Sequence, residues 1–386
     1  MVIEPWLERA AALRPDRVAV EAPEGRLTYA ELLAAARDEA RDLSGTVPID
    51  LPPGLAFAVR LHACLLAGVT AMPVDRRLTE RERPQPVDSD AALIVHTSGT
   101  TGEPRPVELT LENIQANVLG SAVALGLDPH ERWLCPLPVS HVGGLMVLLR
   151  SAIYATTAVI GPPDTEGVTL ASLVPTQLAR LLDAGAPPPR RAVLLGGAPA
   201  DPTLLRRARD AGWPVAPTYG LTQACSQVTV GEVGDTETSG RALPGLRVTI
   251  AADGEILVDG PTVAGGGTLR TGDLGRLDDR GRLIVVGRKT DTIVTGGENV
   301  APAEVEAVLR AHPAVADAGV FARPHDEWGE AVTARVVLRP GSAASPDELR
   351  AFAAERLARF KVPKAVELAD ALPRTESGKL LRRELA

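Results

Sequence analysis

Up to about residue 240 the chain alternates short apolar runs with helix-length segments; beyond it, apolar and polar residues alternate one by one between Gly/Asp turns. The first texture is that of repeated βα units and predicts a mostly parallel sheet covered by helices. Helical spacing covers residues 5–13 and 28–43, with a short strand at 17–21 between them. Thr28 and Glu31 form a capping-box pair at the start of the second helix. A buried helix is predicted at 55–67, strands at 69–74 and 91–96, and a charged, proline-bearing loop at 75–90. Thr110 is placed to cap a helix to about 125, followed by a strand at 133–138, a buried helix at 143–154 and strands at 193–195 and 215–219. The second texture, at 247–256 and 268–286, predicts antiparallel strands. Residues 292–386 read as a small α+β unit: a helix at 302–311, two or three strands within 315–338, and a helix opened by Ser345, Pro346 and the capping-box acid Glu348. The expected fold class is α/β, with mostly parallel sheets and an antiparallel subdomain in a large N-terminal domain, 1–289, and a small α+β C-terminal domain, 290–386.

Charge and cysteine use narrow the function classes. The net charge is -8 and the isoelectric point about 5.4, which argues against bulk nucleic-acid binding or a basic membrane-docking face. No apolar run reaches the ~18 residues of a membrane span, and the first residues carry early acids, unlike a signal peptide. Cys64, Cys135 and Cys225 show no metal or disulfide spacing, which suits a reducing, cytoplasmic setting.

Five stretches could carry chemistry. Residues 97–106, TSGTTGEPRP, read as a loop rather than a helix or strand. Backbone N–H groups laid bare by glycine, with Ser/Thr hydroxyls beside them, suit phosphate; a polar turn is the alternative. A Walker loop is excluded, because the one Gly-Lys pair, Gly378-Lys379, has Pro373 where the first glycine should stand. Gly196, Gly197 and Ala198 follow a strand and suit either a ligand or a tight turn. Tyr219 can stack on a flat base and Thr222 can donate to a phosphate. Asp273, on a turn, offers two acceptor oxygens to a ribose diol with Arg288 nearby, or makes an Asx-turn. Lys379, one of four lysines in the chain, suits phosphate chemistry or a solvated tail.

Taken in order, TSGTTGEPR, PLPVSHVGG, GGAP, YGLTQ, TGD, GRKTDTIVTGGENVAPAEVE and PRTESGK resemble the class I adenylate-forming enzymes over about residues 26–386. That family holds acyl-CoA ligases, peptide-synthetase adenylation domains and luciferases. GGEN followed by Pro302, Ala303 and Glu304 is similar to the acyl-CoA ligases. The phrases SLVPTQL, LLGGAPAD and YGLTQACSQV, and the short length, resemble the ligases that act on o-succinylbenzoate in menaquinone synthesis.

The resemblance implies two steps. A carboxylate attacks the α-phosphate of ATP, giving an acyl-adenylate and pyrophosphate; the thiol of coenzyme A then takes the acyl group and AMP leaves. It implies that Thr97, Ser98, Gly99, Thr100, Thr101 and Gly102 wrap the β- and γ-phosphates, with Arg105 at the usual lysine position of that loop. Thr222 would reach the α-phosphate, and Lys379 would neutralise charge between it and the carboxylate. Gly196, Gly197, Ala198, Tyr219 and Gly220 would frame the adenine and part of the acyl pocket, and Asp273 would hold the ribose beside Arg288. His141 would lie at the acyl-pocket wall, with plain packing as the alternative. The small domain would be mobile, rotating about Thr290 to withdraw Lys379 and bring in residues 295–299.

Two departures carry expectations. The family holds Mg²⁺ with a glutamate where this chain has Gln223, with Thr101 as the other ligand; a neutral amide predicts a slower first step. Arg105 in place of lysine keeps the charge. The implied partners are a small carboxylic acid, ATP and coenzyme A, with no nucleic acid and no membrane span, and a homodimer is allowed. An aryl or medium-chain fatty acid as substrate stays open, as does nucleotide binding without turnover. A second carboxylate on the acid needs buried donors, for which Ser226 and Gln227 are the candidates; an apolar tunnel would mark a fatty acid. The absence of a carrier domain after Lys379 argues against a peptide-synthetase role.

Overall fold

The computed structural model describes residues 6–80, 83–98, 104–296, 298–326, 328–374 and 380–385. A nine-stranded sheet runs in the spatial order Arg241–Ala242, Ser226–Val230, Val215–Leu221, Ala192–Leu195, Leu170–Leu173, Arg132–Cys135, Thr157–Ile160, Val18–Ala22, Gly25–Thr28. The strands from Val215–Leu221 to Val18–Ala22 pair in parallel and the outer pairs are antiparallel. TAVI, LASL and AVLL are buried at every position, as strands covered on both faces must be. A second sheet sets Thr46–Ile49, Thr70–Pro73 and Leu93–Ser98 in parallel and adds Pro104–Leu109 antiparallel at its edge. The helix Leu55–Ala67 supplies the crossover between its first two strands.

The change of texture past residue 240 is a change of architecture. Arg247–Ile250, Glu255–Asp259, Thr268–Leu277 and Leu283–Arg288 form an antiparallel sheet. Beyond it, Val315–His325 and Gly329–Leu338 pair along their length, with Ile293–Thr295, Glu298–Val300 and Ala365–Leu368 completing a separate sheet. Its core of Ile293, Val305, Leu309, Val320, Val336 and Leu349 is its own.

Two local expectations change. Residues 97–106 are not loop throughout: Thr97 and Ser98 end one strand and Pro104–Leu109 begins the return, pairing Thr97 with Arg105. Pro104 and Pro106 fit because that strand is the sheet edge, where a missing N–H removes no ladder bond on the open side. Residues 315–338, expected to hold two or three strands, make two long ones. At Ser345 only half of the capping box forms: its hydroxyl accepts from Glu348 N at 3.2 Å, while the Glu348 carboxylate lies 3.9 Å from His312 Nε2. Thr28 and Thr110 form complete reciprocal caps, the latter with Asn113.

Candidate active site

Tyr219 lies near the end of Val215–Leu221, where the large sheet meets the antiparallel one. Its hydroxyl donates to Asp273 Oδ2 at 2.7 Å, across from the strand Thr268–Leu277. Arg288 is the cross-strand partner of Asp273, and its Nε stands 3.0 Å from Asp273 Oδ1. Arg288 Nη1 also donates to the Thr271 carbonyl at 3.2 Å, and Asp273 N donates to Thr271 Oγ1 at 3.1 Å. The carboxylate is thus buried and held by Tyr219 and Arg288, while Thr271 fixes its backbone. Burial first, then the charge of Asp273, raises the Tyr219 pKa and keeps its hydroxyl a donor.

The next residues turn sharply. Thr222–Ala224 is a single 3₁₀ turn, and Cys225 and Ser226 follow at φ 54° and 96°. The Ser226 value is strained for a residue with a Cβ. A Cβ on Gly220 would lie 2.0 Å from the Ser226 carbonyl oxygen, so the crossing of the two strands by itself demands glycine there. Gly196 continues from Ala192–Leu195, and Gly197 turns with φ +77°. Thr218 Oγ1 donates to the Leu195 carbonyl at 3.1 Å, which brings the Gly196–Ala198 turn beside the Tyr219 strand.

Behind Ser226 and Gln227, both buried, stands a polar cluster. Asn117 Nδ2 donates to the Gln227 carbonyl at 2.8 Å, and Arg150 Nη2 donates to Asn117 Oδ1 at 2.6 Å. Arg150 is 2 % exposed, lies over the Trp133 ring at 5.4 Å, and has no ion pair among the described residues. Its Nε and the Gln227 Oε1 are buried without a hydrogen-bond partner among those residues. Burial lowers the Arg150 pKa. An unpaired guanidinium at this depth costs several kcal/mol, roughly, unless something answers its charge.

His141 directly precedes the helix Val142–Tyr154. Its Nε2 is 2.9 Å from Arg77 Nη2, and Asp75 grips Arg77 through both oxygens at 2.8 and 2.5 Å. A guanidinium can only donate, so this His141 nitrogen accepts and the imidazole is neutral, with its proton on Nδ1. Burial, then Arg77, lowers the His141 pKa, consistent with that state.

Gln223 lines a cleft of about 590 Å³ with Glu108, Asp90 and Thr110, beside the edge strand Pro104–Leu109. Its carbonyl accepts from Ala264 N at 2.8 Å. Thr97 Oγ1 and the Arg105 carbonyl are 3.4 Å apart across that hairpin, and Arg105 is exposed. Gly99, Thr100, Thr101, Gly102 and the Ser98 side chain lie outside the described residues.

Lys379 also lies outside them, but both ends of its segment are described. Arg374 and Leu380 form an antiparallel bridge, and Leu381 N donates to the Pro373 carbonyl at 3.0 Å, closing a neck. Arg374 Nη2 bonds Asp317 Oδ2 at 2.6 Å. Arg382 bonds Glu306, the Val320 carbonyl at 2.8 Å and Asp291 at 2.9 Å. Gly319 lets this tail lie on the strand Val315–His325, since a Cβ there would meet Leu385 at 2.8 Å. Thr290 is exposed between Lys289, which bonds Asp253 and Glu255 at 2.8 and 3.1 Å, and Asp291, which bonds Arg382.

The charged loop at 75–90 gave no hint that Arg77 reaches His141. Arg150 did leave a signal: one cation in the otherwise apolar helix VGGLMVLLRSAIY. No described helix is long and apolar enough to cross a membrane, and Cys64, Cys135 and Cys225 are free and buried.

The sequence profile of the AMP-binding enzymes matches residues 80–266, and that of the AMP-binding enzyme C-terminal domain matches 304–379. A 2-succinylbenzoate–CoA ligase of Bacillus subtilis is 34 % identical over 473 aligned positions, which span 98 % of this chain and 97 % of the relative. The o-succinylbenzoate CoA synthetase of Bacillus subtilis, in complex with its acyl-adenylate intermediate, superposes with a TM-score of 0.89 at 33 % identity, covering 99 % of this chain and 97 % of the other. A double mutant of that synthetase, bound to a product analogue, has the same coverage and identity but a TM-score of 0.70. Full-length likeness in sequence and in fold, on top of the ordered motifs, makes this chain a member of the AMP-binding, adenylate-forming enzyme family.

Proposed function

We propose that this protein is an AMP-forming acid–CoA ligase whose acid is o-succinylbenzoate. The observation that carries the choice of acid is the cluster of Arg150, Asn117 and Gln227. o-Succinylbenzoate keeps one carboxylate through the reaction while the other is activated. An apolar tunnel would suit a fatty acid; a desolvated cation with an unmet Nε–H behind Ser226 and Gln227 suits a retained anion. The names of the Bacillus relatives support the same acid.

In this reading Asp273, aimed by Tyr219 and Arg288, takes the ribose hydroxyls of ATP, and the turn at Gly196–Ala198 frames the adenine. Thr97–Gly102 and Arg105 hold the outer phosphates, and Thr222 meets the α-phosphate. Lys379 stabilises the charge that builds as the carboxylate attacks phosphorus, a role that fits a cation presented from a separate unit. His141, neutral and tethered by Arg77, stands at the acyl-pocket wall. Gln223 offers Mg²⁺ one uncharged oxygen, and the described residues hold no cluster of three or more metal-ligating side chains. That donor set fits an ion that arrives on the phosphates of ATP rather than one resident on the protein. Coenzyme A is the second substrate.

The two domains divide at 289/290, and the second turns about Thr290 between the steps. The lower TM-score against the product-analogue complex of the Bacillus synthetase supports an arrangement here like that of its acyl-adenylate complex. We place the enzyme in the cytoplasm, where its three free cysteines stay reduced. The test is AMP release with coenzyme A against a panel of acids. Turnover with o-succinylbenzoate above all others is expected. Turnover restricted to fatty acids overturns the choice of acid, and none with any acid overturns the enzyme.

A further inference from the structure

Asp201 closes the phrase LLGGAPAD and caps the helix Pro202–Asp210, its Oδ1 accepting from Thr203 N at 2.7 Å. Its Oδ2 accepts from Arg310 Nε, also at 2.7 Å. Arg310 is the last residue of Pro302–Arg310, on the far side of Thr290 in the chain, so this pair joins the two proposed domains. Both side chains are largely buried, at 24 % and 19 % exposure, which removes much of the screening that weakens surface pairs.

Arg310 does not stop at Asp201. Its Nη1 donates to the Ala318 carbonyl at 3.2 Å and lies 3.9 Å from Asp317 Oδ1. Asp317 in turn holds Arg374, which forms the neck of the Lys379 segment. A line of alternating charge, Asp201–Arg310–Asp317–Arg374, therefore runs from the turn after Gly196–Ala198 to the base of the segment that carries the lysine.

We propose that Arg310 is a positioning residue for adenylate formation: bonded to Asp201, it holds the small domain in the orientation that presents Lys379, and it lets go before the thioester forms. The proposal rests on the two-step reading given above. Rotation about Thr290 carries Arg310 with the small domain while Asp201 stays with the large one, so the bond belongs to one orientation only.

The test measures the half-reactions separately in the full chain. Acid-dependent exchange of labelled pyrophosphate into ATP reports the first; single-turnover thioester formation from preformed acyl-adenylate and coenzyme A reports the second. Arg310→Met removes the link. Asp201→Asn keeps an oxygen for Thr203 N, hence the cap, and loses only the charge, so it carries the test if Arg310→Met folds poorly. Each variant is expected to slow exchange about tenfold, to leave thioester formation unchanged or faster, and to combine with the other without further loss. Arg310→Lys should restore part of the exchange. Equal losses in both half-reactions, additive losses in the double variant, or exchange at the wild-type rate overturn the role of Arg310. No acid-dependent exchange in the wild type instead overturns the functional reading beneath it.

Discussion

Arg150 carries a full charge inside a helix whose other side chains are almost all apolar, and no described acid answers it. A cation left unpaired at this depth is tolerable if substrate brings the anion. Replacing Arg150 with Met keeps the length and removes the charge. The expected outcome is a fall of about tenfold or more in kcat/KM for o-succinylbenzoate, with little change for 4-oxo-4-phenylbutanoate, the same acid without the ring carboxylate. Equal falls for both acids would assign Arg150 to packing alone. At this scale the sequence was legible where chemistry comes in runs: YGLTQ, TGD and GRK marked Tyr219, Asp273 and Arg288 as candidates, with Arg288 beside Asp273, and the fold brings all three within bonding distance. It was silent where partners come from distant segments. Arg77 meets His141 across 64 positions and Arg310 meets Asp201 across 109, and nothing local marks either pair.

Elements report on pH as well as on packing. The helix Leu55–Ala67 fills the core with Phe57, Ala58, Leu61 and Cys64, and with His62 among them. Burial alone pushes the His62 pKa down from 6.5 to about 4. The folded state therefore keeps His62 neutral while the unfolded chain takes up a proton. This contribution is fully present above pH 6.5 and is lost as the pH falls to about 4, roughly 3 kcal/mol over the window. In His62→Leu the unfolding free energy should fall less steeply across that window by this amount, as denaturant titrations at several pH values would read. Identical slopes would mean that His62 reaches solvent. Element types were legible because apolar period and caps agree: Thr28 and Thr110 sit where the helices begin. The misreading at 97–106 has an equally physical cause, since glycine, proline and hydroxyls suppress strand signals while the edge position of Pro104–Leu109 tolerates them.

At the scale of the molecule, the proposed cycle needs two arrangements of the same two domains. Thr290→Pro fixes φ at the pivot near the value of a short helical turn. It should preserve acid-dependent pyrophosphate exchange and abolish thioester formation. Loss of exchange, or an intact overall turnover, would place the pivot elsewhere. The two textures of the sequence announced separate sheets, but not the ion pairs that tie one body to the other.

The surroundings of Thr290 say what kind of joint this is. Lys289 is clamped to Asp253 and Glu255 on one body, and Asp291 to Arg382 on the other. One residue between two clamps has two soft dihedrals and no slack. In the proposed cycle such a joint would act as an axle, not a tether: the small body would sweep an arc instead of searching a volume. On that proposal the acyl-adenylate would wait on a turn of fixed path, and salt that loosens either clamp should blur the two end points before it unfolds anything.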